Sequence, residues 1–385
     1  MNDTSRVPLP PARPPERPTQ RFGRGPRAWM LRLAASERFQ AFSARMPGLS
    51  SKAKREGEAL FDLVAGFAQS QVLFALVELG VIDRLSNGAA QPSEILPELG
   101  DREAQLLLDG GVAIGLLRKS ARGYGLTVRG AALLGVPGLL PMIRHHGVFY
   151  RDMSDPVALL RGERSPELAR FWPYVFGAGA AENPEIAQTY SDLMAQSQKL
   201  VAEDTLRAVS FAETRELLDI GGGTGAFLCA LGHRFKAPKL HLFDLPAVAP
   251  GAESRFRAEH LSARARITPG SFRDDPLPRG ADTISLVRVL YDHADETVTA
   301  LLQKVHDALP PGGRIVISEP MTGGETPSVA GDVYFAFYTY CMATGQARSQ
   351  ARIVELLGEA GFSNIEAPKP RRAFVTSVVT GEKIA

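Results

Sequence analysis

Hydrophobic residues in the first part of the chain recur at helical spacing. Within 26–46 they predict one amphipathic helix, whose apolar stripe consists of Leu31, Ala35, Phe39, Phe42 and Met46. The same spacing predicts helices across 58–85, at Leu60, Leu63, Val64 and Phe67. A further helix from Asp101 precedes two strand-like runs at 116–119 and 124–127, which flank a glycine turn. Helices followed by such a hairpin predict a winged helix-turn-helix.

Beyond residue 215 the pattern changes to short apolar runs separated by helical segments. The apolar runs lie at 217–218, 240–243, 282–290, 314–318 and 375–380. This alternation predicts an α/β fold with a Rossmann-like, doubly wound sheet. The last run is β-branched, and we expect it to be an antiparallel strand of the same sheet. Shortly before it, the segment VYFAFYTYCM at 333–342 predicts a helix rich in aromatic residues.

Composition limits the classes to which the protein can belong. With 385 residues, 44% of them hydrophobic, the chain can bury a sizeable core, and its length indicates two domains. Its two cysteines lie far apart, which excludes a disulfide framework and a CxxC metal site and suits a reducing compartment. No apolar run approaches the length of a membrane span, so we expect no transmembrane segment and no secretory signal.

Charge is unevenly distributed along the chain. The first 50 residues hold nine arginines against three acidic residues, and residues 1–20 contain six prolines. We therefore expect a disordered tail at 1–20 and a basic amphipathic helix at 24–46. This helix either contacts an anionic membrane surface or packs on the protein itself or on a dimer partner. Residues 51–165 hold 13 basic and 13 acidic residues, so the winged module is expected to serve dimerisation and to bind no nucleic acid.

The segment LLDIGGGTGAFL carries the strongest chemical pattern. Its glycines at 221, 223 and 225 lie between an apolar run and a helix, which predicts a tight turn that a ligand approaches closely. With Asp244 roughly 20 residues on, the loop fits a relaxed dinucleotide fingerprint. With Asp219 before it, the loop fits equally the acidic, three-glycine turn that binds S-adenosylmethionine. The loop alone leaves both cofactors open.

Five segments in a fixed order carry a resemblance that decides between these cofactors. They read GGGTG, FDLP, GSFRDDPLP, LVRVLYDHADE and LPPGGRIVISEP. In this order and spacing they resemble the class I S-adenosylmethionine-dependent O-methyltransferases of the caffeate and acetylserotonin type, over about residues 55–380. The resemblance implies S-adenosylmethionine as the cofactor, methyl transfer to an oxygen as the activity, and a homodimer formed through the winged module.

The resemblance also divides the chain into four expected segments. Residues 1–50 form the disordered tail and the basic helix, and 51–165 form the winged-helix-like dimerisation domain. Residues 166–205 form a helical connector that lines the substrate pocket, and 206–385 form the domain that binds S-adenosylmethionine. The aromatic helix at 333–342 is expected to form one wall of the pocket, although ordinary core packing would also explain its composition.

Cofactor contacts are implied at the positions that match the family pattern. The expected cofactor-binding residues are Asp219, Gly221, Gly223, Gly225, Asp244, Leu245, Ser271, Phe272 and Arg288. The glycine loop holds the methionine part, Asp244 accepts hydrogen bonds from the ribose hydroxyls, and Leu245 lies beside the adenine. Ser271 stands where the family usually has an aspartate, and a hydroxyl is a weaker acceptor than a carboxylate.

The catalytic positions depart from the family pattern, in which the histidine of an HDWxDE motif removes the substrate proton. Here the motif reads YDHADE, so Tyr291 stands at the histidine position and His293 at that of the tryptophan. Glu319 matches the first acid that orients the family histidine, whereas Ala347 stands in place of the second. The expected catalytic residues are Tyr291, Asp292, His293 and Glu319, and no metal site is expected.

The missing imidazole bears on the substrate. A histidine with a near-neutral pKa suits an acidic phenol, whereas an aliphatic alcohol gains less from such a base. With the aromatic helix and the basic arm, this favours a long apolar alcohol drawn from a membrane. The chain resembles the branch of the family that methylates the tertiary hydroxyl of acyclic carotenoids such as hydroxyneurosporene and demethylspheroidene in purple photosynthetic bacteria.

The expected location is therefore the cytoplasm, with peripheral contact to the intracytoplasmic membrane. Two other functions remain open. One is methylation of a phenolic, polyketide or tetrapyrrole substrate. The other is a non-catalytic protein that keeps S-adenosylmethionine as a bound ligand.

Overall fold

A computed structural model describes residues 25–43, 50–171 and 197–384. The chain forms two compact units, Met1–Gln71 and Val72–Ala385. The tail predicted at 1–20 and most of the connector predicted at 166–205 lie outside the described residues.

The described part of the first unit is helical. It contains α1 (Pro26–Ala34), α2 (Glu37–Ser43) and most of α3 (Ser50–Glu78). The single helix predicted over 26–46 is therefore wrong, because the chain turns between α1 and α2. Ser36 explains the turn, since its hydroxyl accepts a hydrogen bond from the backbone N–H of Phe39 (3.5 Å) and so caps α2.

Helix α3 is one long helix with an exposed apolar face. That face consists of residues whose side chains are 65 to 80% exposed: Leu60, Phe61, Leu63, Val64 and Phe67. By length and composition α3 could cross a bilayer, so the expectation that no apolar run reaches that length is wrong. An apolar face of this size on a protein surface marks a site of association.

The second unit begins with the winged module, and its wing is confirmed. Its elements are α4 (Val81–Arg84), α5 (Pro92–Ile95), α6 (Asp101–Ala113), β1 (Leu117–Ser120), β2 (Gly123–Leu126), α7 (Val128–Gly135), α8 (Leu139–Asp152) and α9 (Pro156–Leu160). β1 and β2 pair antiparallel as the wing. Thr127 caps α7, as its hydroxyl accepts from the backbone N–H of Gly130 at 3.0 Å. Leu76, Leu108 and Leu117 lie at the centre of the module's core.

A seven-stranded sheet forms the rest of the unit. Its elements are α10 (described over 197–208), β3 (Glu216–Ile220), α11 (Ala226–Arg234), β4 (Lys239–Asp244), α12 (Ala249–Ala258), β5 (Ala265–Pro269), β6 (Thr283–Val287), α13 (Asp295–Ala308), β7 (Arg314–Glu319), α14 (Ala336–Cys341), α15 (Gln350–Glu359), β8 (Ser363–Glu366) and β9 (Ser377–Glu382). The strand order is β5-β4-β3-β6-β7-β9-β8, and β9 is antiparallel to β7. The predicted doubly wound sheet with an antiparallel last strand is confirmed.

The position of each strand in the sheet explains whether the hydrophobic pattern of the sequence predicted it. Leu217 and Leu218 are both fully buried and belong to different cores on the two faces of β3, so this central strand reads as a continuous apolar run. The outer strands β5 and β8 are only half buried and carry mixed residues, so no apolar run marked them. Strand order reverses between β3 and β6, which opens a crevice at their carboxyl ends.

Candidate active site

The glycine loop lies at this crevice, directly after β3. Gly221, Gly223 and Gly225 all have positive φ, at +68°, +57° and +76°. A Cβ at Gly221 would lie 3.0 Å from Val289, and one at Gly225 would lie 2.7 Å from Phe256. A Cβ at Gly223 would meet no described atom within 4 Å. Two of the glycines therefore let the loop pack against the protein, and the third faces open space where a ligand can approach.

Asp219 is a fully buried carboxylate beneath this loop. Its Oδ1 accepts a hydrogen bond from the Ser285 hydroxyl at 2.6 Å, while Oδ2 has no partner among the described residues. Burial raises the pKa of Asp219 to about 7. A Cβ at Gly222 would lie 2.2 Å from Oδ2, so that position must also be glycine. A buried acceptor without a donor suits a cationic or hydrogen-bonding ligand above it.

Asp244 ends β4 and faces the loop from the neighbouring strand. Its Oδ2 accepts from the backbone N–H of Gly223, and its Oδ1 accepts from that of Leu245, both at 2.7 Å. Burial raises the pKa of Asp244 to about 6, and these two hydrogen bonds oppose the rise. The carboxylate is thus fixed at the strand tip, where its remaining lone pairs can accept from the hydroxyls of a ribose.

Ser271 and Phe272 follow β5 on the next strand along. The Ser271 hydroxyl donates to Asp274 Oδ2 at 2.9 Å, so it is already engaged by a nearby carboxylate. The ring of Phe272 packs edge-on against the ring of His293, with centroids 5.3 Å apart. The structure therefore brings this predicted pair to the same edge of the sheet as Asp244, with an acid three residues beyond the serine.

Arg288 is held in an unusual conformation after β6. It is a non-glycine residue with φ of +61°, and its backbone N–H donates to the Ser318 carbonyl at 2.8 Å. Its guanidinium donates to the Ser197 hydroxyl at 2.7 Å and to the Tyr291 hydroxyl at 3.3 Å. Backbone strain of this kind persists only where the surroundings impose it, and it clusters at functional sites.

Tyr291 and Asp292 lie on one short 3₁₀ helix, Leu290–Asp292, beside that guanidinium. Tyr291 is 2% exposed, and burial raises the pKa of its phenol. Asp292 Oδ1 is buried and has no hydrogen-bond partner among the described residues. Burial also raises the pKa of Asp292 well above its usual value, although Arg288 opposes this. A buried carboxylate in this state is a strong proton acceptor when it is ionised.

Glu319 supports this short helix through its backbone. The carboxyl group is fully buried at the end of β7, and Oε2 accepts from the backbone N–H of Tyr291 at 3.1 Å. Burial raises the pKa of Glu319 to about 7. The acid that orients a histidine side chain in the family pattern therefore orients the main chain of the 290–292 segment here.

Arg348 holds the same segment from the other side, and sequence reasoning missed it. Its side chain is 1% exposed and forms an ion pair with Asp295 at 2.6 Å. It also donates to the carbonyls of Leu290 (3.0 Å) and His293 (2.8 Å). No local pattern marks an arginine as buried, so the only available signal was its place next to Ala347, where the family has an acid.

The imidazole of His293 lies beside a cationic side chain and not beside an acidic one. Its Nδ1 accepts from the Arg273 guanidinium at 3.0 Å. Burial, Arg273 and Arg348 lower the pKa of His293 to about 3. This imidazole stays neutral and binds a proton weakly, so the geometry disfavours the predicted role of His293 as a base.

The aromatic segment begins earlier than predicted and is not a uniform α-helix. A π-helix, Val329–Phe335, runs directly into α14. The hydroxyl of Tyr334 lies 2.6 Å from His146 Nε2, and that of Tyr338 lies 2.9 Å from His145 Nε2. Both histidines belong to α8 of the winged module. Phe149, also on α8, packs edge-on against both tyrosine rings, so these side chains form a cluster that we call the aromatic wall. Its role as a wall of the substrate pocket stays a prediction.

Among the described residues, no group of histidine, cysteine, aspartate or glutamate side chains is placed to hold a metal ion. The loop, Asp219 and Asp244 do fit the cofactor that the sequence implied. S-Adenosylmethionine (SAM) combines cationic groups with ribose hydroxyls. Gly223 gives it open space, Asp219 offers an unpaired acceptor, and Asp244 offers a fixed carboxylate.

Comparison with known proteins decides the family. Residues 150–363 match the O-methyltransferase domain, and residues 61–135 match the O-methyltransferase dimerisation domain. The chain belongs to the O-methyltransferase family. This membership confirms the predicted fold class, the enzyme class, SAM as the cofactor and a homodimer as the assembly. The exposed apolar face of α3 lies at the start of the matched dimerisation domain.

Two relatives match over nearly their whole length. The demethylspheroidene O-methyltransferase of Cereibacter sphaeroides is 53% identical, over 94% of this chain and 97% of that protein. The enzyme of the same name from Rhodobacter capsulatus is 47% identical, over 99% of this chain and 95% of its own. Among solved structures, human N-acetylserotonin methyltransferase in complex with SAM is 25% identical, with a TM-score of 0.74 over 86% of this chain and 98% of that one.

Proposed function

We propose that this enzyme transfers the methyl group of SAM to the tertiary hydroxyl of an acyclic carotenoid of the demethylspheroidene or hydroxyneurosporene type, in carotenoid biosynthesis. The assignment of the substrate rests on the near full-length similarity to two demethylspheroidene O-methyltransferases. The aromatic wall supports it, because the packed rings of Tyr334, Tyr338 and Phe149 form an apolar region of the kind that suits an apolar chain.

The donor side of the reaction needs only binding and orientation. When bound, SAM supplies a methyl group on a positively charged sulfur, which is a good leaving group. Asp244 accepts from the ribose hydroxyls, the glycine loop admits the methionine part, and Arg288 is the basic residue at this side of the site. These residues would hold SAM in one fixed orientation, and such orientation would account for much of the rate.

On the acceptor side, Asp292 takes the proton. While SAM, held by the glycine loop and Asp244, would supply the methyl group, the acceptor hydroxyl would give its proton to Asp292 Oδ1. An aliphatic alcohol is a weak acid, so a carboxylate whose pKa is raised by burial suits the step better than an ordinary one. Tyr291 instead shapes the pocket, because its phenol is kept protonated and its hydroxyl accepts from Arg288.

Three variants test this assignment against labelled SAM and demethylspheroidene in detergent micelles. Asp292→Asn should lower kcat by about 100-fold, because it removes the proton acceptor and keeps the volume. Tyr291→Phe and His293→Gln should each change kcat by less than about fivefold, because neither takes the proton. S-Adenosylhomocysteine affinity, measured by calorimetry, should remain the same in all three. Full activity of Asp292→Asn would refute the proposed role of Asp292 as the proton acceptor.

The same assay tests the substrate class. Label should pass to the carotenoid and not to phenolic, polyketide or tetrapyrrole acceptors offered at equal concentration. Label found only on a phenol would overturn the carotenoid assignment. Binding of SAM without transfer to any acceptor would indicate a non-catalytic protein.

We also propose that the enzyme works in the cytoplasm as a peripheral protein of the intracytoplasmic membrane, through residues 24–46. In the described part of this arm, Trp29, Met30 and Phe42 are more than half exposed. Exposed apolar side chains beside arginines suit an anionic membrane interface. Removal of residues 1–46 should reduce co-sedimentation with anionic vesicles and leave kcat in micelles unchanged. Equal co-sedimentation of the shortened and full chains would refute membrane contact through this arm.

A further inference from the structure

Arg288 lies beside the glycine loop and is held from two sides. It follows β6, and its neighbour Val289 packs against the loop, since a Cβ at Gly221 would lie 3.0 Å from Val289. The backbone N–H of Arg288 donates to the carbonyl of Ser318 on β7 at 2.8 Å. Its guanidinium donates to the hydroxyl of Ser197 on α10 at 2.7 Å. The conformation of Arg288 therefore depends on where α10 and β7 lie.

Helix α10 packs on the sheet with a face that is partly polar. Ser197, Val201, Asp204 and Thr205 recur at helical spacing, and each is no more than 8% exposed. Buried polar side chains require hydrogen-bond partners, and these partners restrict how a helix can sit. The contacts of Asp204 and Thr205 therefore show how the helix that carries Ser197 is fixed.

Asp204 attaches α10 to the segment before β9. Its two carboxylate oxygens accept from Nε and Nη2 of Arg372, both at 2.8 Å. The Arg372 carbonyl accepts from the backbone N–H groups of Val375 and Thr376, so the arginine belongs to the turn that leads into the strand. A bidentate pair of this kind fixes orientation as well as distance.

Three buried hydroxyls in a row form a second attachment. Thr205 Oγ1 lies 2.6 Å from Ser318 Oγ, which lies 2.8 Å from Thr376 Oγ1. The Thr205 hydroxyl donates to the Val201 carbonyl at 2.7 Å. Because each hydroxyl has one proton, Thr205 accepts from Ser318, which accepts from Thr376. This row joins α10, β7 and the start of β9 through the same Ser318 whose carbonyl binds the Arg288 backbone.

We propose that Ser197 is a positioning residue, and that α10, fixed by these two attachments, holds the Arg288 guanidinium through the Ser197 hydroxyl in the orientation that binds SAM. An arginine side chain has many rotamers, and a site that fixes it beforehand loses less entropy when the ligand binds. The Tyr291 hydroxyl also accepts from this guanidinium, at a longer 3.3 Å. The proposal concerns the cofactor and not the acceptor, so it does not depend on the carotenoid assignment.

Calorimetric affinity for S-adenosylhomocysteine tests this role without any methyl acceptor. Ser197→Ala should weaken binding by about tenfold, because it removes a hydrogen bond to a charged group. Ser197→Thr keeps a hydroxyl and should bind within about threefold of the wild type. In an Arg288→Met background, Ser197→Ala should cause no further loss, because the serine acts only through the guanidinium.

Thr205→Val and Thr214→Val form a matched pair that tests the attachment of α10. Thr214 Oγ1 lies 3.1 Å from Thr283 Oγ1 at the amino ends of the parallel strands, so it belongs to a buried hydroxyl pair on the opposite side of the sheet from the site. Both variants should lower the urea midpoint, since each leaves a buried hydroxyl without its partner. Only Thr205→Val should also weaken S-adenosylhomocysteine binding, by at least about threefold.

Three results would overturn the proposal. Wild-type affinity in Ser197→Ala would show that its hydroxyl does not position Arg288 for binding. A full loss from Ser197→Ala in the Arg288→Met background would show that the serine acts on the cofactor by another route. Equal affinities of the two valine variants would show that the attachment of α10 does not govern the site.

Discussion

The two halves of the active site are built in different ways. The donor half consists of a glycine loop and two acids, Asp219 and Asp244, at the tips of neighbouring parallel strands. Its parts lie within 26 residues of sequence. The acceptor half draws on α8, the 3₁₀ helix at 290–292 and the aromatic wall, which lie far apart along the chain. It has Tyr291 where the family pattern has its histidine base.

This difference shows which parts of the site chemistry can vary. The donor is the same molecule in every SAM-dependent methyltransferase, so its loop has little freedom. The acceptor differs between enzymes. In this chain the buried groups Glu319 and Arg348 hold the main chain of the 290–292 segment, although Tyr291 stands at the position of the family's histidine.

The sharpest test of the donor half is Gly223→Val. The new side chain would fill the open space above the loop and would force a β-branched residue to φ of +57°. S-Adenosylhomocysteine affinity should fall by at least about 100-fold, since small displacements at a tight site have effects of this size. Calorimetry measures the affinity.

Gly312→Val is the matched control for this variant. Gly312 has φ of +76°, and a Cβ there would meet no described atom within 4 Å, so it carries similar backbone strain far from the loop. It should bind S-adenosylhomocysteine like the wild type. If both valine variants lose affinity equally, strain and not occlusion explains the effect.

Replacement of Arg348 should destabilise the main chain of the acceptor half. Arg348→Met would leave buried carbonyls without donors and would remove the partner of Asp295, at a cost of about 3 kcal/mol in the free energy of unfolding. Urea denaturation measures that loss, and kcat should fall with it. Arg352→Met removes a half-exposed arginine that also pairs with Asp295, and it should leave stability nearly unchanged.

Lower pH should weaken the binding of SAM in the donor half. Asp244 must be ionised to accept from both ribose hydroxyls, and burial raises its pKa to about 6. SAM affinity should therefore rise as the pH increases through 6, with about a tenfold change per unit at the acid end. Calorimetry between pH 5 and 8 measures this profile. Asp244→Asn should bind weakly at every pH, and a wild-type affinity independent of pH would contradict the role of Asp244.

The smallest effect is expected at Ser271. Its hydroxyl already donates to Asp274, so Ser271→Ala should change SAM affinity by no more than about threefold. Ser285→Ala provides the contrast, because it removes the hydroxyl that donates to Asp219 Oδ1 and should weaken binding more. A larger loss at Ser271 than at Ser285 would show that the serine contacts the cofactor directly.

Sequence reasoning predicted the donor half residue by residue and the acceptor half only in part. Asp219, the glycines and Asp244 lie together as expected, because a strand, a turn and a helix form from neighbouring residues. Glu319 was identified, but its target is the backbone of the 290–292 segment. Arg348 was missed, since no local pattern distinguishes a buried arginine from a surface one.

By itself, the sequence determined the parallel sheet, the wing and the glycine loop that follows β3. These depend on hydrophobic periodicity and on glycine geometry, which act over a few residues. Only the tertiary structure decided which groups face the acceptor. His145 meets Tyr338 across 193 positions, and a contact of that kind arises from the packing of the winged module against α14 and not from any pattern along the chain.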